Sequence, residues 1–350
     1  MTREGRNMGP RIGIMGAGAI GGNIGGMMAL AGHDVTLVDQ WPEHVEAMKK
    51  SGLKVTRPQD EKVARVRALH IHELQQVSQP FDYAVIAVKS YDTQWATWLM
   101  KGYVKPGGAF ISAQNGINDD RIADIVGRKN EVPCIVTIGA GMYEPGHVLR
   151  TDTNAVGFEV GEYDGADTPR ARELVGLFGS VAEAKLTLHA MDHRWSKLMV
   201  NCMANALAGL GGYGSGEVRT EASVRRVSIQ LGAEAVRVAK ALKYKPDPVA
   251  GISPDAIVDA AEGRNLEQVE LQLMEAGRRT AGGRPSFAQD VLKGRRTEIE
   301  YLNGYVSEQG RKSGVKTPFS DAIVKLVNSL GVGFKSDPKH LQPLVKMLPR

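Results

Sequence analysis

The stretch "GAGAIGG", Gly16–Gly22, follows the short apolar run "RIGIM" and precedes "NIGGMMALAGH". Three arginines lie upstream, and from Ile12 to Gly32 the one strongly polar side chain is Asn23, which superficially fits an export signal or a membrane span. The many glycines weaken a spanning helix, and the segment divides into a strand, a turn and a helix. "DVTLVD", a second strand pattern, then ends at Asp39. We therefore interpret the N-terminus as a βαβ unit of a nucleotide-binding fold.

The glycine spacing in this unit, Gly16-x-Gly18-x-x-Gly21, is typical of a dinucleotide phosphate-binding turn. Glycine permits the tight turn, the close approach of a pyrophosphate and the close packing of the helix. Backbone amides at the helix N-terminus then hold the phosphates. The candidate cofactor-binding residues here are Gly16, Gly18, Ala19, Ile20 and Gly21.

Asp39 lies 18 residues after Gly21, close to the spacing of the acidic residue that hydrogen-bonds the adenosine ribose. A 2′-phosphate at that place would meet a carboxylate. NAD is therefore the expected cofactor, with NADH favoured over NADPH. The alternative is an ordinary solvated aspartate in a loop.

Composition limits the classes of function. The chain has 350 residues, enough for two domains, with 42% hydrophobic and 24% charged residues and a net charge of +5 spread along its length. The basic runs "KGRR" and "VRRV" lie in helical patterns and are interpreted as solvated faces. Neither a nucleic acid nor a membrane is an expected partner.

The two cysteines, Cys134 and Cys202, both lie in apolar runs. This placement disfavours disulfides and a cysteine-based zinc site, so no metal site is expected, and it suits a reducing cytoplasm. Residues 1–9 are polar and predict a disordered leader.

The predicted fold class is α/β, an N-terminal Rossmann doubly wound sheet followed by an all-helical C-terminal domain. Strand and helix patterns alternate through residues 10–190, the NAD-binding domain. Strand patterns then stop, and residues 191–335 form the helical substrate and catalytic domain, with a C-terminal tail at 336–350. The predicted helices of this second domain are about 192–210, 219–243, 265–280, 286–313 and 317–330.

Two strand ends carry polar residues. "VIAVKSYDT" places Lys89 directly after a buried strand, and "ISAQNGIND" places Asn115 and Gly116 after another. In an open α/β sheet such strand ends border the ligand crevice, so Lys89 and Asn115 are candidate cofactor-binding residues. The alternatives are a surface lysine and an ordinary Asn-Gly turn.

A polar stripe runs along the helix pattern "DHRWSKLMVNCMANALAGL", where Lys197, Asn201 and Asn205 recur every four residues and share one face. Asparagine competes with the helix backbone, so a solvated stripe would normally carry glutamate or lysine instead. A partly desolvated lysine can have a lowered pKa and donate a proton near neutral pH. On this pattern alone, a plain amphipathic helix explains the segment slightly better.

Five motifs occur in the order that is typical of the ketopantoate reductase (2-dehydropantoate 2-reductase) family, which this chain resembles over nearly its whole length. They are "GAGAIGG", "AVKS", "QNG", "RWSKLMVNCMANAL" and "SFAQDVLKGRRTEIEYLNGYV". The family reduces a branched 2-keto acid by hydride transfer from a nicotinamide cofactor, within pantothenate biosynthesis. The resemblance implies that Lys197 is the catalytic lysine and Glu298 the second catalytic residue.

The resemblance also implies substrate contacts. Ser286 resembles a substrate-binding serine, Asn201 a substrate-contacting asparagine, and Lys89 and Asn115 line the cofactor and substrate cleft. Arg284 and Asn205 are further candidate substrate-binding residues. Without the resemblance, Ser286-x-x-Gln289 is a capping box, and Glu298 pairs with a nearby basic residue three turns along the same helix.

The chain departs from the family at three residues and in the length of one segment. Asp39 stands where many members have a basic or small residue for the NADP phosphate. Ser215 and Gly283 stand where the family commonly has asparagine, and the segment before Ser286 is longer than usual. These departures leave the exact 2-oxo acid open, and we expect poorer activity on ketopantoate than on some bulkier or less polar 2-oxo acid.

The resulting hypothesis is an NADH-dependent reductase of a 2-oxo acid, with a homodimer as a compatible assembly. Two alternatives stay open. A 3-hydroxy acid dehydrogenase also pairs lysine and asparagine four residues apart on a helix. A redox sensor would bind NAD without turnover.

Overall fold

A computed structural model describes residues 9–279 and 283–349. The chain divides into two compact units, with the boundary between Ala190 and Met191. The predicted disordered leader falls almost entirely on residues outside the described ranges. The two units are considered one at a time.

Unit 1 is built on an eight-stranded sheet. Its strands are β1 (Arg11–Met15), β2 (Asp34–Asp39), β5 (Arg67–His70), β6 (Phe81–Ile86), β7 (Val104–Ser112), β8 (Glu131–Val136), β11 (Val156–Val160) and β12 (Glu183–Leu186). They lie in the order β12-β11-β8-β7-β6-β1-β2-β5. Neighbouring strands from β8 to β5 run parallel, β11 is antiparallel to β8, and β12 is parallel to β11. The predicted Rossmann sheet is therefore confirmed.

The topological switch point of this sheet lies between β1 and β6, because the chain passes from β1 to β2 on one side and β6 pairs with β1 on the other. Ligands of open α/β sheets bind beyond the carboxyl ends of the strands at this point. The glycine turn follows β1, and the loop with Lys89 follows β6.

In the described part of unit 1, five α-helices connect the strands. They are α1 (Ala19–Leu30), α2 (Pro42–Ser51), α3 (Thr93–Lys101), α4 (Asp119–Val126) and α5 (Pro169–Gly179). The segment "IHELQQV" between β5 and β6 contains the 3-10 helix Ile71–Gln76.

Unit 1 also contains a second sheet that the sequence did not reveal. Its four strands have the order β4-β3-β10-β9, with β10 parallel to β3. They are β3 (Leu53–Arg57), β4 (Asp60–Ala64), β9 (Ala140–Glu144) and β10 (His147–Arg150). The pairing of β10 with β3 joins residues about ninety positions apart, so no local pattern could predict it.

Helix α1 packs against both sheets through its glycines. A Cβ atom on Gly25 would lie 2.4 Å from Leu37 of the large sheet, and one on Gly26 would lie 2.8 Å from Val55 of the small sheet. Larger residues would overlap the strands at this approach. The glycine content of this segment therefore reflects helix packing between two sheets.

Unit 2 is helical in its described part. Its helices are α6 (Ala190–Gly211), α7 (Ser215–Thr220), α8 (Ala222–Ala241), α9 (Pro254–Ala261), α10 (Leu266–Arg279), α11 (Ser286–Leu292), α12 (Asn303–Ser313), α13 (Pro318–Leu330) and α14 (Gln342–Val345). Most of the predicted helices are recovered, including the polar-striped helix, which is α6.

The single helix predicted at 286–313 is wrong. Helix α11 ends at Leu292, and Gly294 then takes a φ of +63°, in the left-handed region that terminates helices. A loop and the 3-10 helix Ile299–Tyr301 separate it from α12. Glu298 therefore lies in a turn, and not three helical turns along from Ser286.

Residues 336–350, predicted as a tail, contain the 3-10 helix Pro338–Leu341 and α14. Leu341 and Leu344 are almost fully buried and join the hydrophobic core of unit 2. Among the described residues, no helix has the length and apolar character needed to cross a bilayer.

Candidate functional site

The glycine turn is held by main-chain contacts that only glycine allows. Gly16 has a φ of +96°, and a Cβ on it would lie 2.8 Å from the backbone nitrogen of Val88, at the end of β6. A Cβ on Gly21 would lie 1.8 Å from the carbonyl oxygen of Gly16. The turn is thereby pressed against the end of β6 and the first turn of α1.

Gly18 differs from its neighbours, because a Cβ built on it meets no atom within 4 Å. Gly18, Ala19 and Ile20 are also partly exposed, whereas Gly16, Ala17 and Gly21 are buried. Helix α1 begins here without a side-chain cap and without an acidic residue in its first turn. This arrangement fits a dinucleotide pyrophosphate, which would use the open space at Gly18 and the dipole of the helix.

Asp39 is the last residue of β2 and is only 9% exposed, so the alternative of a solvated loop aspartate is wrong. Its carboxylate oxygens accept hydrogen bonds from two backbone N–H groups, that of Ala17 at 2.6 Å and that of Trp41 at 2.8 Å. Each carboxylate oxygen has a second lone pair for a further donor. Asp39 therefore places an acceptor group beside the glycine turn.

The loops that carry Lys89 and Asn115 are joined by a buried hydrogen-bond network. The Asn118 amide donates to the Ser90 hydroxyl and to the Asn115 carbonyl, both at 3.0 Å. The Gln114 amide donates to the Val88 carbonyl at 2.8 Å. These contacts hold the two strand ends together at the carboxyl edge of the sheet.

Sequence reasoning did not single out Gln114, Asn118 or Ser90 for this role. The signal was present in "QNGIN", where two amide side chains flank the Asn-Gly pair. Because their partners lie in the β6 loop, about 26 residues away, the network becomes visible only in the fold.

In unit 2, helix α6 presents Lys197, Asn201 and Asn205 on one face, as predicted. Lys197 and Asn201 are half-buried, and Asn205 is 7% exposed. The Nδ2 atom of Asn201 is buried and has no hydrogen-bond partner in the described part of the chain. An unsatisfied buried polar group costs about 1–3 kcal/mol, so this amide is a natural place for a ligand oxygen.

The segment after Glu298 packs along the same helix. The Asn303 amide donates to the Cys202 carbonyl at 3.4 Å, and the rings of Trp195 and Tyr305 lie 5.8 Å apart. Glu298 itself is 4% exposed. These contacts hold the segment just after Glu298 against α6 at Trp195 and Cys202, which lie on either side of Lys197 in the sequence.

Ser286 begins α11 directly after Pro285, and no side chain caps the helix, so the capping-box alternative is wrong. The amide of Gln289 instead donates to the Arg284 carbonyl at 3.1 Å. Phe287 packs on Gly209 of α6, one turn beyond Asn205 and three turns beyond Lys197. Ser286 and the exposed Arg284 thus lie toward the C-terminal half of α6.

Ser215 and Gly283, two of the three residues that depart from the family, contact each other. The backbone N–H and the hydroxyl of Ser215 both donate to the Gly283 carbonyl, at 2.9 and 3.0 Å. A cavity of about 390 Å³ lies beside this pair. It is lined by Gly212, Gly214, Gly216, Glu217, Thr220, Gly277 and Arg284. Within the described residues, no cluster of His, Cys, Asp or Glu side chains could hold a metal ion.

Two family models match the chain. The description "Ketopantoate reductase PanE/ApbA" matches residues 12–165, and "Ketopantoate reductase PanE/ApbA C terminal" matches residues 189–331. The chain belongs to the ketopantoate reductase family. The resemblance inferred from the five motifs is therefore confirmed.

Curated ketopantoate reductases match over almost their whole length. The 2-dehydropantoate 2-reductase of Halobacterium salinarum is 29% identical over 321 residues, covering 91% of this chain and 97% of that protein. That of Pyrococcus horikoshii is 28% identical over 330 residues, covering 93% of this chain and 100% of that protein.

Solved structures share the fold. A PanE/ApbA family ketopantoate reductase from Ralstonia eutropha is 26% identical with a TM-score of 0.75, over 91% of this chain and 97% of that chain. D-mandelate dehydrogenase, solved with NADH and anilino(oxo)acetate, has a TM-score of 0.79 at 24% identity with the same coverage.

The different surroundings of Gly18 and Gly21 make a testable pair. Gly18→Ala should leave the free energy of unfolding within about 0.5 kcal/mol of the wild type, yet weaken NADH binding because the methyl group enters the open space. Gly21→Ala should lower the free energy of unfolding by about 1–3 kcal/mol and weaken binding as well. Denaturant unfolding and fluorescence titration with NADH measure the two quantities.

Gly176→Ala is the matched control, because a Cβ on Gly176 also meets no atom within 4 Å but lies on α5, away from the turn. It should leave NADH binding unchanged and raise the free energy of unfolding by about 0.5–1 kcal/mol, because alanine suits a helix interior better than glycine. Unaltered NADH affinity in Gly18→Ala would contradict the placement of the pyrophosphate.

Proposed function

We propose that this protein reduces a 2-oxo acid to the corresponding 2-hydroxy acid with NADH, or catalyses the reverse oxidation, with Lys197 as the proton donor. The observation that carries the proposal is the face of α6, where Lys197 lies one turn from the buried, unpaired amide nitrogen of Asn201 and where the segment just after Glu298 packs on the helix. The family and the Rossmann unit support a nicotinamide cofactor.

A nicotinamide cofactor held at the glycine turn and Asp39 would supply the hydride for the carbonyl carbon of the substrate. As the carbonyl π electrons move to oxygen, Lys197 donates a proton there and yields the hydroxyl group. Before this transfer the ammonium group also stabilises the developing negative charge. Glu298 orients the ammonium group or the new hydroxyl.

The remaining polar residues of unit 2 hold the substrate. Asn201 donates its unpaired amide N–H to a substrate oxygen, and Asn205 extends the same face. Ser286 and Arg284 hold the carboxylate, for which a guanidinium is well suited because it donates in a planar fork. In unit 1, Lys89 and Asn115 line the cofactor cleft.

NADH is the preferred cofactor because of Asp39. Its carboxylate is anchored by Ala17 and Trp41 and cannot turn away from the cofactor without losing two hydrogen bonds. Ribose hydroxyls can donate to it, whereas the 2′-phosphate of NADPH would bring a second negative charge to a low-dielectric position. The adjacent Gln40 is exposed and neutral.

The preferred substrate is a 2-oxo acid with a bulkier or less polar substituent than that of ketopantoate. Ser215 and Gly283 lack the side-chain amide of the asparagine that the family commonly has at these positions. The Ser215 hydroxyl donates instead to the Gly283 carbonyl. Four glycines before and within α7 and α10 border the neighbouring cavity, so their positions add no side chains to it. This fold accommodates such a ligand in D-mandelate dehydrogenase, solved with anilino(oxo)acetate.

A 3-hydroxy acid dehydrogenase is the alternative activity, since it also uses lysine and asparagine one helical turn apart. Product regiochemistry distinguishes the two. A redox sensor that binds NAD without turnover would have no need of the buried Glu298 beside the lysine helix.

We propose a cytoplasmic location, because Cys134 and Cys202 are both free cysteines, which suits a reducing compartment. We also propose a homodimer. A ketopantoate reductase of Staphylococcus aureus with this fold is described as dimeric. Analytical ultracentrifugation at several protein concentrations tests the assembly.

Lys197→Ala should lower kcat by about 10² to 10⁴, the usual contribution of a positioned proton donor, while NADH binding stays nearly unchanged. Glu298→Ala should lower kcat by a smaller factor. The double variant should lower kcat by less than the product of the two single factors. Stopped-flow measurement at saturating NADH, with circular dichroism to confirm folding, provides the test. Equal turnover in the folded Lys197→Ala variant would assign the proton to another residue.

The cofactor preference can be tested without disturbing the bonds of Asp39. The wild type should have the higher kcat/KM with NADH, and Gln40→Arg should shift the NADPH-to-NADH ratio by about tenfold, which corresponds to ~1.4 kcal/mol of charge attraction. Gln40→Leu controls for the loss of the amide. Equal or better use of NADPH by the wild type would overturn the assignment.

The substrate proposal is tested on a panel of pyruvate, ketopantoate and phenylglyoxylate. Phenylglyoxylate should give the highest kcat/KM, and Gly214→Ala should raise its KM more than that of pyruvate, because the methyl group narrows the cavity. A Cβ on Gly214 meets its nearest atom at 3.4 Å, so the variant should fold normally. Ketopantoate as the best substrate would show that the changes at Ser215 and Gly283 are tolerated substitutions.

A further inference from the structure

We propose that His44 is a positioning residue for the cofactor, whose buried imidazole holds the Ala17 carbonyl and so directs the Gly18 N–H toward the pyrophosphate. This inference rests on the dinucleotide binding proposed above, and not on the identity of the substrate. His44 is the third residue of α2 and is fully buried.

Both hydrogen-bonding groups of Ala17 are held by side chains. Its N–H donates to Asp39 Oδ2 at 2.6 Å, and its carbonyl oxygen lies 2.9 Å from His44 Nε2. Ala17 is the residue between the first two glycines of the turn. The peptide groups on either side of it therefore have defined directions, whereas glycine neighbours alone would leave them free to rotate.

The tautomer of His44 follows from its other nitrogen. The Gly146 N–H donates to Nδ1 at 2.8 Å, so Nδ1 is an acceptor without a proton. In the neutral ring the proton then lies on Nε2, which donates to the Ala17 carbonyl. The imidazole thus bridges two backbone groups, one from the glycine turn and one from the β9–β10 connection.

The small sheet holds the Gly146 end of this bridge in place. The Gly146 carbonyl accepts the Lys54 N–H of β3 at 2.9 Å, which holds the β9–β10 hairpin against its neighbour strand. A second link runs from the Asn23 amide, which donates to the Leu149 carbonyl at 3.2 Å and to the Ala19 carbonyl at 2.7 Å. The first turn of α1 and the glycine turn are therefore both tied to this sheet.

Peptide geometry converts this contact into a functional one. In a trans peptide the carbonyl and the N–H of the next residue point in opposite directions, and no cis peptide occurs among the described residues. The bond from His44 fixes the Ala17 carbonyl on the buried side, so the Gly18 N–H points to the opposite side. That side is the partly exposed one, where a Cβ on Gly18 would meet no atom.

Two substitutions separate the bonds of His44. The amide of His44→Gln can reach the Ala17 carbonyl in place of Nε2, whereas the shorter side chain of His44→Asn can accept from Gly146 in place of Nδ1 but cannot reach Ala17. We expect His44→Gln to bind NADH within threefold of the wild type. His44→Asn should raise the Kd and the KM for NADH by about tenfold, with kcat and the KM for the 2-oxo acid within threefold.

Met48→Ala is the matched control, because Met48 is buried on the same helix one turn further along and has no bond to the glycine turn. It should lower the melting temperature at least as much as His44→Asn and leave the Kd for NADH unchanged. Hydrogen exchange of the nucleotide-free proteins adds a readout independent of turnover. Peptides spanning residues 16–22 should exchange faster in His44→Asn than in His44→Gln.

Wild-type NADH affinity in His44→Asn, or an equal loss of affinity in Met48→Ala, would overturn the role of His44. If His44→Asn does not fold, His44→Gln decides alone, with retained affinity supporting the role and a tenfold loss overturning it. Failure of the proposed function has a different signature, since the wild type would then bind neither NADH nor NADPH, or would reduce no 2-oxo acid.

Discussion

The contact between Gly16 and Gly21 is the constraint on which unit 1 depends. A single Cβ at Gly21 would lie 1.8 Å from the Gly16 carbonyl, so the chain can leave β1 and enter α1 at this angle only if the side chain is absent. The same angle lets α1 lie between two sheets, with Gly25 on Leu37 and Gly26 on Val55. Close packing of this kind gives the turn a defined shape before any ligand binds.

Polar side chains then refine that shape at the level of single peptide groups. Asp39 holds the N–H of Ala17, and His44 holds its carbonyl. Defined N–H directions favour anion binding, because the protein has already lost the conformational freedom that binding would otherwise remove. The structural and the proposed cofactor roles of Asp39 are therefore compatible, since the carboxylate has lone pairs enough for both.

In unit 2, helix α6 keeps polar side chains among apolar neighbours. The neighbours of Lys197, Asn201 and Asn205 on α6 are mostly buried apolar residues, and the Asn201 amide is unsatisfied in the described part of the chain. Retaining such a group has a cost in stability, which is expected where a substrate completes the hydrogen bonds. The turn of Glu298 depends on the same helix through Asn303 and Tyr305.

Local sequence patterns predicted the βαβ unit, the polar face of α6 and the change from strands to helices, because each depends on residues within a few turns of one another. They did not predict the small sheet, the break at Gly294 or the burial of Leu341 and Leu344. The pairing of β10 with β3 and the docking of the C-terminal helices join distant segments, so packing decides them. Around Gly294 the sequence keeps a continuous helical period, so it predicts one helix. Gly294 nevertheless adopts a left-handed backbone conformation, which allows a turn there.

By itself, the sequence determined that a glycine turn ends the first strand, that a carboxylate ends the second, and that lysine and asparagine share a helix face. These features depend on the spacing of residues within one chain segment. The 3.6-residue period of a helix and the two-residue period of a strand determine which side chains share a face. Only the tertiary structure decided what each group contacts. Asp39 meets Ala17, His44 bridges Ala17 to Gly146, and Ser215 meets Gly283 because the intervening chain folds back over 22 to 102 residues, and such long-range contacts leave no periodic signal in the sequence.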